Sequence, residues 1–347
     1  MEFTVDGGFT ALRDRGLHAG RTLARPSLRW RDQRAAWDPA LFAELGDLGA
    51  LGVGAAPLEA VALLEGLGEA GDVGLALAVG AHGVLCGVPI ERFGTPRQRQ
   101  VLPALAKGNQ VAAISRSEVD GEPSPVTAVH DGRSWRLDGT RTGVVNGPVA
   151  DHFLVTATAA TGERTAFLLD RDLPGLDVLV ERDPVALRTR PVGDLVLTDC
   201  EVGDDAVLGV PGGASTDLVP LLALLDRTCL LAPWLGLLRA LAARVTETDL
   251  AWSQSVRLAV VDVRAGVELA ADLLYRAAAE PGGSRRNPAL AALFLADAVP
   301  KAARLAAELH PADHAVARAH RDGTALTAAD REVLRSVIAE SLLALGG

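Results

Sequence analysis

The chain is poor in several residue types, and each shortage excludes something. Of 347 residues one is Met, one is Tyr and three are Cys, and aromatics make up 4%. Cys86, Cys200 and Cys229 are too few and too widely spaced for a disulfide framework or a Cys-x-x-Cys metal or redox site, so a reducing cytoplasm is the expected compartment. Lysine is nearly missing: Lys107 and Lys301 are the only two, and the other basic residues are Arg, a bias that fits a GC-rich bacterial genome. The 34 basic residues face 44 acidic ones, and a net charge of −10 repels polyphosphate chains unless a local patch overrides it. Nucleic acid is therefore not an expected partner. The start, Met1 to Asp6, lacks the basic-then-apolar pattern of a leader, and no run of 18 apolar residues is free of charge, Pro or Gly, so neither export nor membrane insertion is expected. No GxGxxG or Walker loop is present.

What the chain has is aliphatic mass, with 49% hydrophobic residues, and a pattern that changes twice. Over 1–110 the apolar spacing is helical, as in Phe42, Leu45 and Leu48 and in Leu63, Leu64 and Leu67. Over 111–212 β-branched runs such as Val126–Val129 and Phe153–Thr156 are broken by Asp131-Gly132, Asp138-Gly139, Asn146-Gly147 and Pro174-Gly175, a compact β unit. Over 213–347 the helical period returns near 216–245, 251–280, 288–310 and 327–344, long enough for an antiparallel bundle. The order is α, then β, then α, without strand–helix alternation, which excludes a parallel Rossmann sheet.

Particular segments then carry a resemblance. Phe93-Gly94-Thr95-Pro96-Arg97-Gln98 with Leu102-Pro103-Ala104-Leu105, Asp138-Gly139-Thr140-Arg141-Thr142, Asn146-Gly147-Pro148-Val149-Ala150-Asp151, and Leu197-Thr198-Asp199-Cys200-Glu201-Val202 stand in the order and at the spacing of the acyl-CoA dehydrogenase family. The chain resembles that family from about residue 36 to 310. The resemblance implies an α+β multidomain fold: an N-terminal helical domain, a middle antiparallel β-barrel and a C-terminal four-helix bundle. It also implies FAD between barrel and bundle, a carboxylate that takes the α-proton of an acyl thioester on CoA or carrier protein, and a homo- or hetero-oligomer.

Residue by residue, the resemblance places Ser117, Thr142 and Val145 toward the flavin ring. Ser117-Glu118 stands for the family's Thr-Glu pair in an altered loop, and Gly143-Val144-Val145 stands where the family has Trp-Ile-Thr, so an aromatic wall and a hydroxyl donor are gone. The family's Arg-x-x-Phe-Gly-x-Pro is missing after Ala243-Arg244, and its Gln-x-x-Gly-Gly turn becomes Glu308-Leu309-His310-Pro311-Ala312. Asp226 takes the position of the family's helix-borne base, with an ordinary helix ion pair to Arg227 as the alternative. Arg227 is the expected thioester or pantetheine contact, or half of a helix–helix pair. His82 lines the acyl tunnel or is a satisfied helix histidine, and Arg188 approaches a phosphate or sits in an exposed loop. His310 and His314 have the spacing of two imidazoles on one helix face, but Pro311 intervenes, and a surface loop or helix start without metal is the reading.

Two classes of function follow. In one the chain handles an acyl thioester with an eroded FAD site, as a pseudo-subunit of a hetero-oligomeric dehydrogenase or as a flavin-independent cyclase, dehydratase or isomerase. In the other it is an FAD-dependent acyl-CoA or acyl-carrier-protein dehydrogenase with Asp226 as base.

Overall fold

The computed structural model describes residues 6–115, 124–181, 183–247, 253–280, 286–327 and 331–343. The chain opens with a long helix that Asp6 caps by accepting from the Phe9 N–H. It runs as α1 (Gly7–Ala19), a π-helical turn at Gly20–Ala24 and α2 (Arg25–Arg34), and stops where Ala35 takes a left-handed φ of 48°. Then come α3 (Pro39–Asp47), α4 (Pro57–Glu69), α5 (Val73–Val79), a π-helical stretch at Gly80–Gly87, α6 (Val88–Phe93) and α7 (Leu102–Ala106). Asp38 and Asp72 cap α3 and α5 through their carboxylates.

Helix α4 is gripped from both sides at backbone distance. A Cβ on Gly66 would sit 2.1 Å from the Arg13 carbonyl oxygen of α1, and one on Gly16 2.2 Å from that of Leu63. On the other side α9 (Ala232–Thr246) approaches so closely that a Cβ on Gly236 would sit 2.1 Å from the Glu65 carbonyl oxygen. Only hydrogen fits at such crossings. Between them lies Glu65, wholly buried, accepting from Arg13 Nε (2.9 Å), Arg239 Nε (2.6 Å) and the Tyr275 hydroxyl (2.6 Å).

Eight strands make the middle unit: β1 (Ala112–Ser115), β2 (Thr127–His130), β3 (Trp135–Val145), β4 (His152–Thr158), β5 (Arg164–Asp170), β6 (Leu176–Val180), β7 (Val192–Val202) and β8 (Val207–Leu208). The order is β6-β7-β3-β1-β4-β5-β8, and β2 pairs with both β3 and β4, so β1 and β2 each bridge the same two strands. The ladders are antiparallel except that β1 and β2 run parallel to β4, a mixture the expectation of an antiparallel barrel did not contain. Alternation along β3 and β7 turns Trp135, Leu137, Leu195 and Leu197 into a core that is distinct from the helical one.

The C-terminal part holds α8 (Leu218–Thr228), α9, α10 (Gln254–Ala279), α11 (Arg286–Leu309), α12 (His314–Thr327) and α13 (Arg331–Leu343). Two differences from the sequence expectation have local causes. The stretch expected as one helix over 216–245 is divided by a 3-10 turn at Cys229–Leu231, because the ring of Pro233 excludes a regular α-helical turn before it. The residues between the expected helices 288–310 and 327–344 form helix α12, whose start falls at His314, as the helix-start alternative for His310 and His314 allows, and follows Asp313, whose Oδ1 accepts from the Ala315 N–H at 2.8 Å. Its inner face carries Val316, Ala319 and Leu326. Val73–Phe93 and Leu218–Thr246 are long and apolar enough to cross a membrane by length and composition, yet 94% and 72% of their apolar windows are buried in this fold. They are its central helices.

Candidate functional site

Helix α8 is the element around which the site is built. Its strong one-sidedness comes from Leu218, Leu222, Leu225 and Cys229, which recur every three to four residues and are buried. The face bearing Asp217, Leu221, Leu224 and Arg227 is turned into a cleft of about 710 Å³. Val88, Arg92 and Phe93 of α6 also line it, and the ends of α10 and α11 supply Arg276, Glu280 and Asn287. The lining is largely apolar, and its charged groups are three arginines, Arg92, Arg227 and Arg276, with Asp217 and Glu280. Arg276 pairs with Asp272. Arg92 lies 5.4 Å over the Phe93 ring, and neither Arg92 nor Arg227 forms an ion pair among the described residues.

Asp226 and Arg227 do not share this cleft. Consecutive residues of an α-helix point about 100° apart, and Arg227 lines the cleft while Asp226 is not among its lining residues. Asp226 is half-buried on the neighbouring face, one turn before Cys229. Burial pushes the Cys229 thiol up to about 12, and the negative charge of Asp226 adds to that rise. The thiol is packing, not a nucleophile.

His82 is wholly buried in the π-helical stretch before α6. Its Nε2–H donates to the Leu105 carbonyl at 3.0 Å, and Nδ1 accepts from the Ala112 N–H at 3.1 Å. Both ring nitrogens are thereby committed to backbone, tying the end of α7 to the start of β1, and burial lowers the imidazole to about 4. Arg188 donates from Nε to the Asp32 carbonyl (2.7 Å), from Nη1 to Asp183 and Pro184, and from Nη2 to the Gln33 carbonyl. It clamps the loop before β7 to the C-terminal end of α2, where a cation also meets the negative end of the helix dipole. Neither residue lines the cleft.

The face on which the resemblance would seat a flavin is tightly knit. Ser117 lies outside the described residues. Thr142 is exposed, and its carbonyl accepts from Ser115 Oγ at 2.7 Å. The Gly143 N–H donates to Asp194 Oδ1 at 3.0 Å. Val145 is 4% exposed and belongs to the same apolar cluster as the helices. Asn146, held at φ 66°, donates from Nδ2 to the carbonyls of Ala78 (2.9 Å) and Ala112 (3.2 Å), which leaves its buried Oδ1 as an acceptor without a hydrogen-bond partner. At the turn between α11 and α12, Arg244 is held by Asp313 (2.9 Å) and Glu247 (2.8 Å), and the His310 ring meets the Arg244 carbonyl at 3.0 Å. Among the described residues no three His, Cys, Asp or Glu side chains are grouped as metal ligands.

Sequence reasoning thus found Arg227 and missed Arg92 and Arg276. A signal existed for one of them: Glu91 and Arg92 are the only formal charges in the apolar stretch 73–93, as Asp226 and Arg227 are in 218–238. A charge on a central apolar helix is costly unless it meets water, a partner or a ligand.

Helices before and after an eight-stranded middle unit, with a cleft between α6 and α8, define the fold class of the flavin-dependent acyl dehydrogenases. The fold is that of the acyl-CoA dehydrogenases, and in sequence the chain is similar to members of that family. The family model described as "Acyl-CoA dehydrogenase, N-terminal domain" matches residues 18–109. An L-prolyl-[peptidyl-carrier protein] dehydrogenase of Pseudomonas fluorescens is 31% identical over 59% of this chain and 59% of its own length. The short-chain acyl-CoA dehydrogenase of Megasphaera elsdenii is 27% identical over 75% of each chain. The solved butyryl-CoA dehydrogenase of Megasphaera elsdenii superposes with a TM-score of 0.87 at 24% identity, covering 99% of this chain and 100% of the other, which shows the shared fold. The chain spans less than two thirds of the length of the Pseudomonas relative.

Proposed function

We propose that this chain binds an acyl thioester, carried on CoA or on a carrier protein, in the cleft beneath α8, and that it does so without a flavin of its own. It then serves as the flavin-free subunit of a hetero-oligomeric dehydrogenase or as a non-redox enzyme of the cyclase, dehydratase or isomerase type, in a bacterial cytoplasm. The observation that carries the thioester reading is the pair Arg92 and Arg227, two guanidiniums without carboxylate partners among the described residues that both line one largely apolar cleft. Such a pair suits the phosphate of a pantetheine arm, while the apolar lining suits its chain.

The described residues do not fit an isoalloxazine ring. The N1/O2 and N5 edges of a flavin want donors, but Val145 offers only methyls and is already packed, the Gly143 N–H is taken by Asp194, and the free buried group, Asn146 Oδ1, is an acceptor. A pyrophosphate at the α11–α12 turn would meet Asp313 and Glu247 rather than open N–H groups. What the chain's own residues do is therefore binding and orientation: Arg92 and Arg227 hold the anionic arm, and Leu221 and Leu224 keep water from its chain.

The second reading, an FAD-dependent dehydrogenase with Asp226 as base, is favoured by the place of Asp226 on α8 beside Arg227. Purified protein separates the two. The first reading expects no visible flavin absorption, before or after incubation with excess FAD, and binding of a non-hydrolysable acyl-CoA thioether that Arg227→Ala weakens about tenfold, or ~1.4 kcal/mol. Stoichiometric flavin retained through gel filtration refutes it. Solubility gained only with a co-expressed homologue marks the subunit form.

A further inference from the structure

The net charge of −10 hides one strongly basic surface. Residues 15–34 carry six arginines, one histidine and a single carboxylate, Asp32. Arg31 turns inward and pairs with Asp72 at 2.8 Å, and Asp32 is taken by Arg321. The remainder, Arg15, His18, Arg21, Arg25, Arg29 and Arg34, are all exposed along the outer side of α1, the π-helical turn and α2. None of the five arginines forms an ion pair among the described residues. Between them Trp30 stands 48% exposed, with the Arg34 guanidinium 5.6 Å over its ring.

We propose that this face docks an acidic α-helical protein segment. Twenty residues at 1.5 Å each make a strip about 30 Å long, the length of one partner helix. Arginine's planar fork pairs carboxylates two hydrogen bonds at a time, and Trp30 supplies an apolar anchor of the kind that dominates protein interfaces. The charge pattern favours a protein over the other polyanions. A nucleic acid long enough to extend past the strip meets a chain that is acidic elsewhere. An anionic membrane would want an apolar helix face, but Leu28, Ala24 and Ala19 of this helix are buried in the core. The inference stands apart from the cleft, and no residue of the cleft takes part.

The test uses the full chain and a synthetic 20-residue helical peptide with glutamates along one face, titrated calorimetrically at low and at physiological salt. Micromolar binding that falls with salt, and that Arg25→Glu combined with Arg29→Glu lowers at least tenfold, is the expected result. Arg133→Glu, on an exposed barrel turn, should leave it unchanged. Circular dichroism and the unfolding midpoint of the double variant show that the fold survives. Absence of peptide binding, equal binding by the double variant, tighter Arg25- and Arg29-dependent binding of a 20-base-pair duplex or of phosphatidylserine vesicles, or salt-sensitive self-association through this face would each overturn the proposal.

Discussion

Exchanging His82 for Gln should flatten the acid limb of the stability curve. In the folded chain both imidazole nitrogens are bound to backbone and burial holds the ring at about 4, whereas the unfolded chain titrates near the ordinary 6.5. Between those values the unfolded state carries the extra proton, so stability falls as pH falls through this window and levels off below it. At 1.36 kcal/mol per unit, roughly 2.5 kcal/mol of the stability present near pH 7.5 is gone near pH 4.5 from this one group. Gln has no proton to gain, and it can keep one of the two hydrogen bonds. The variant should therefore start about 1–2 kcal/mol lower at neutral pH and lose about 2.5 kcal/mol less on acidification than the native chain. Urea unfolding at the two pH values, with slopes compared to confirm equal exposed surface, gives both numbers. Carboxylates titrate alike in the two proteins and cancel. If native and variant chains lose the same stability on acidification, the assignment of His82 as a buried neutral pin is wrong.

Glu65→Gln leaves Arg13, Arg239 and Tyr275 gathered around a neutral amide, and breaking a buried ion cluster from one side should cost about 3–5 kcal/mol, read as a lowered urea midpoint. Gly236→Ala places a methyl 2.1 Å from the Glu65 carbonyl oxygen, and forcing α9 off α4 should cost about 1–3 kcal/mol or more in thermal unfolding. Asp313→Ala removes the Ala315 cap and one partner of Arg244, and a loss of about 1–2 kcal/mol with faster amide exchange at the start of α12 is expected.

The α–β–α order was readable because the apolar period switches from that of Leu63, Leu64 and Leu67 to the Gly-punctuated strands and back. Helix α12 escaped because Pro311 and three histidines look like loop chemistry, while the cap that starts the helix depends on one carboxylate folding back over its own N–H groups. The parallel pairing of β1 with β4 escaped for another reason: register is a property of two strands 40 residues apart, and neither strand alone encodes it. At the site, adjacency in sequence misled. Asp226-Arg227 reads as a pair, but helix geometry turns the two side chains to different faces and puts only Arg227 in the lining of the cleft that Arg92 also lines. His82 was legible in part, since a histidine within an apolar helix must find partners, though nothing in the sequence says that Leu105 and Ala112 are the ones.

The grip of α1 and α9 on α4 reaches beyond local packing. Segments from opposite ends of the chain share one interior, whereas most buried strand residues form their own, with Ile114, Val145 and Leu154 among those that join the helical one. The β unit is thus a guest threaded into an otherwise continuous helical host. Cutting the polypeptide near residue 110 would yield no autonomous halves, since each would present bare glycine grooves to solvent and the first would strand Glu65 without Arg239 and Tyr275. Complementation by mixing the fragments, rather than truncation, is the way to dissect this molecule.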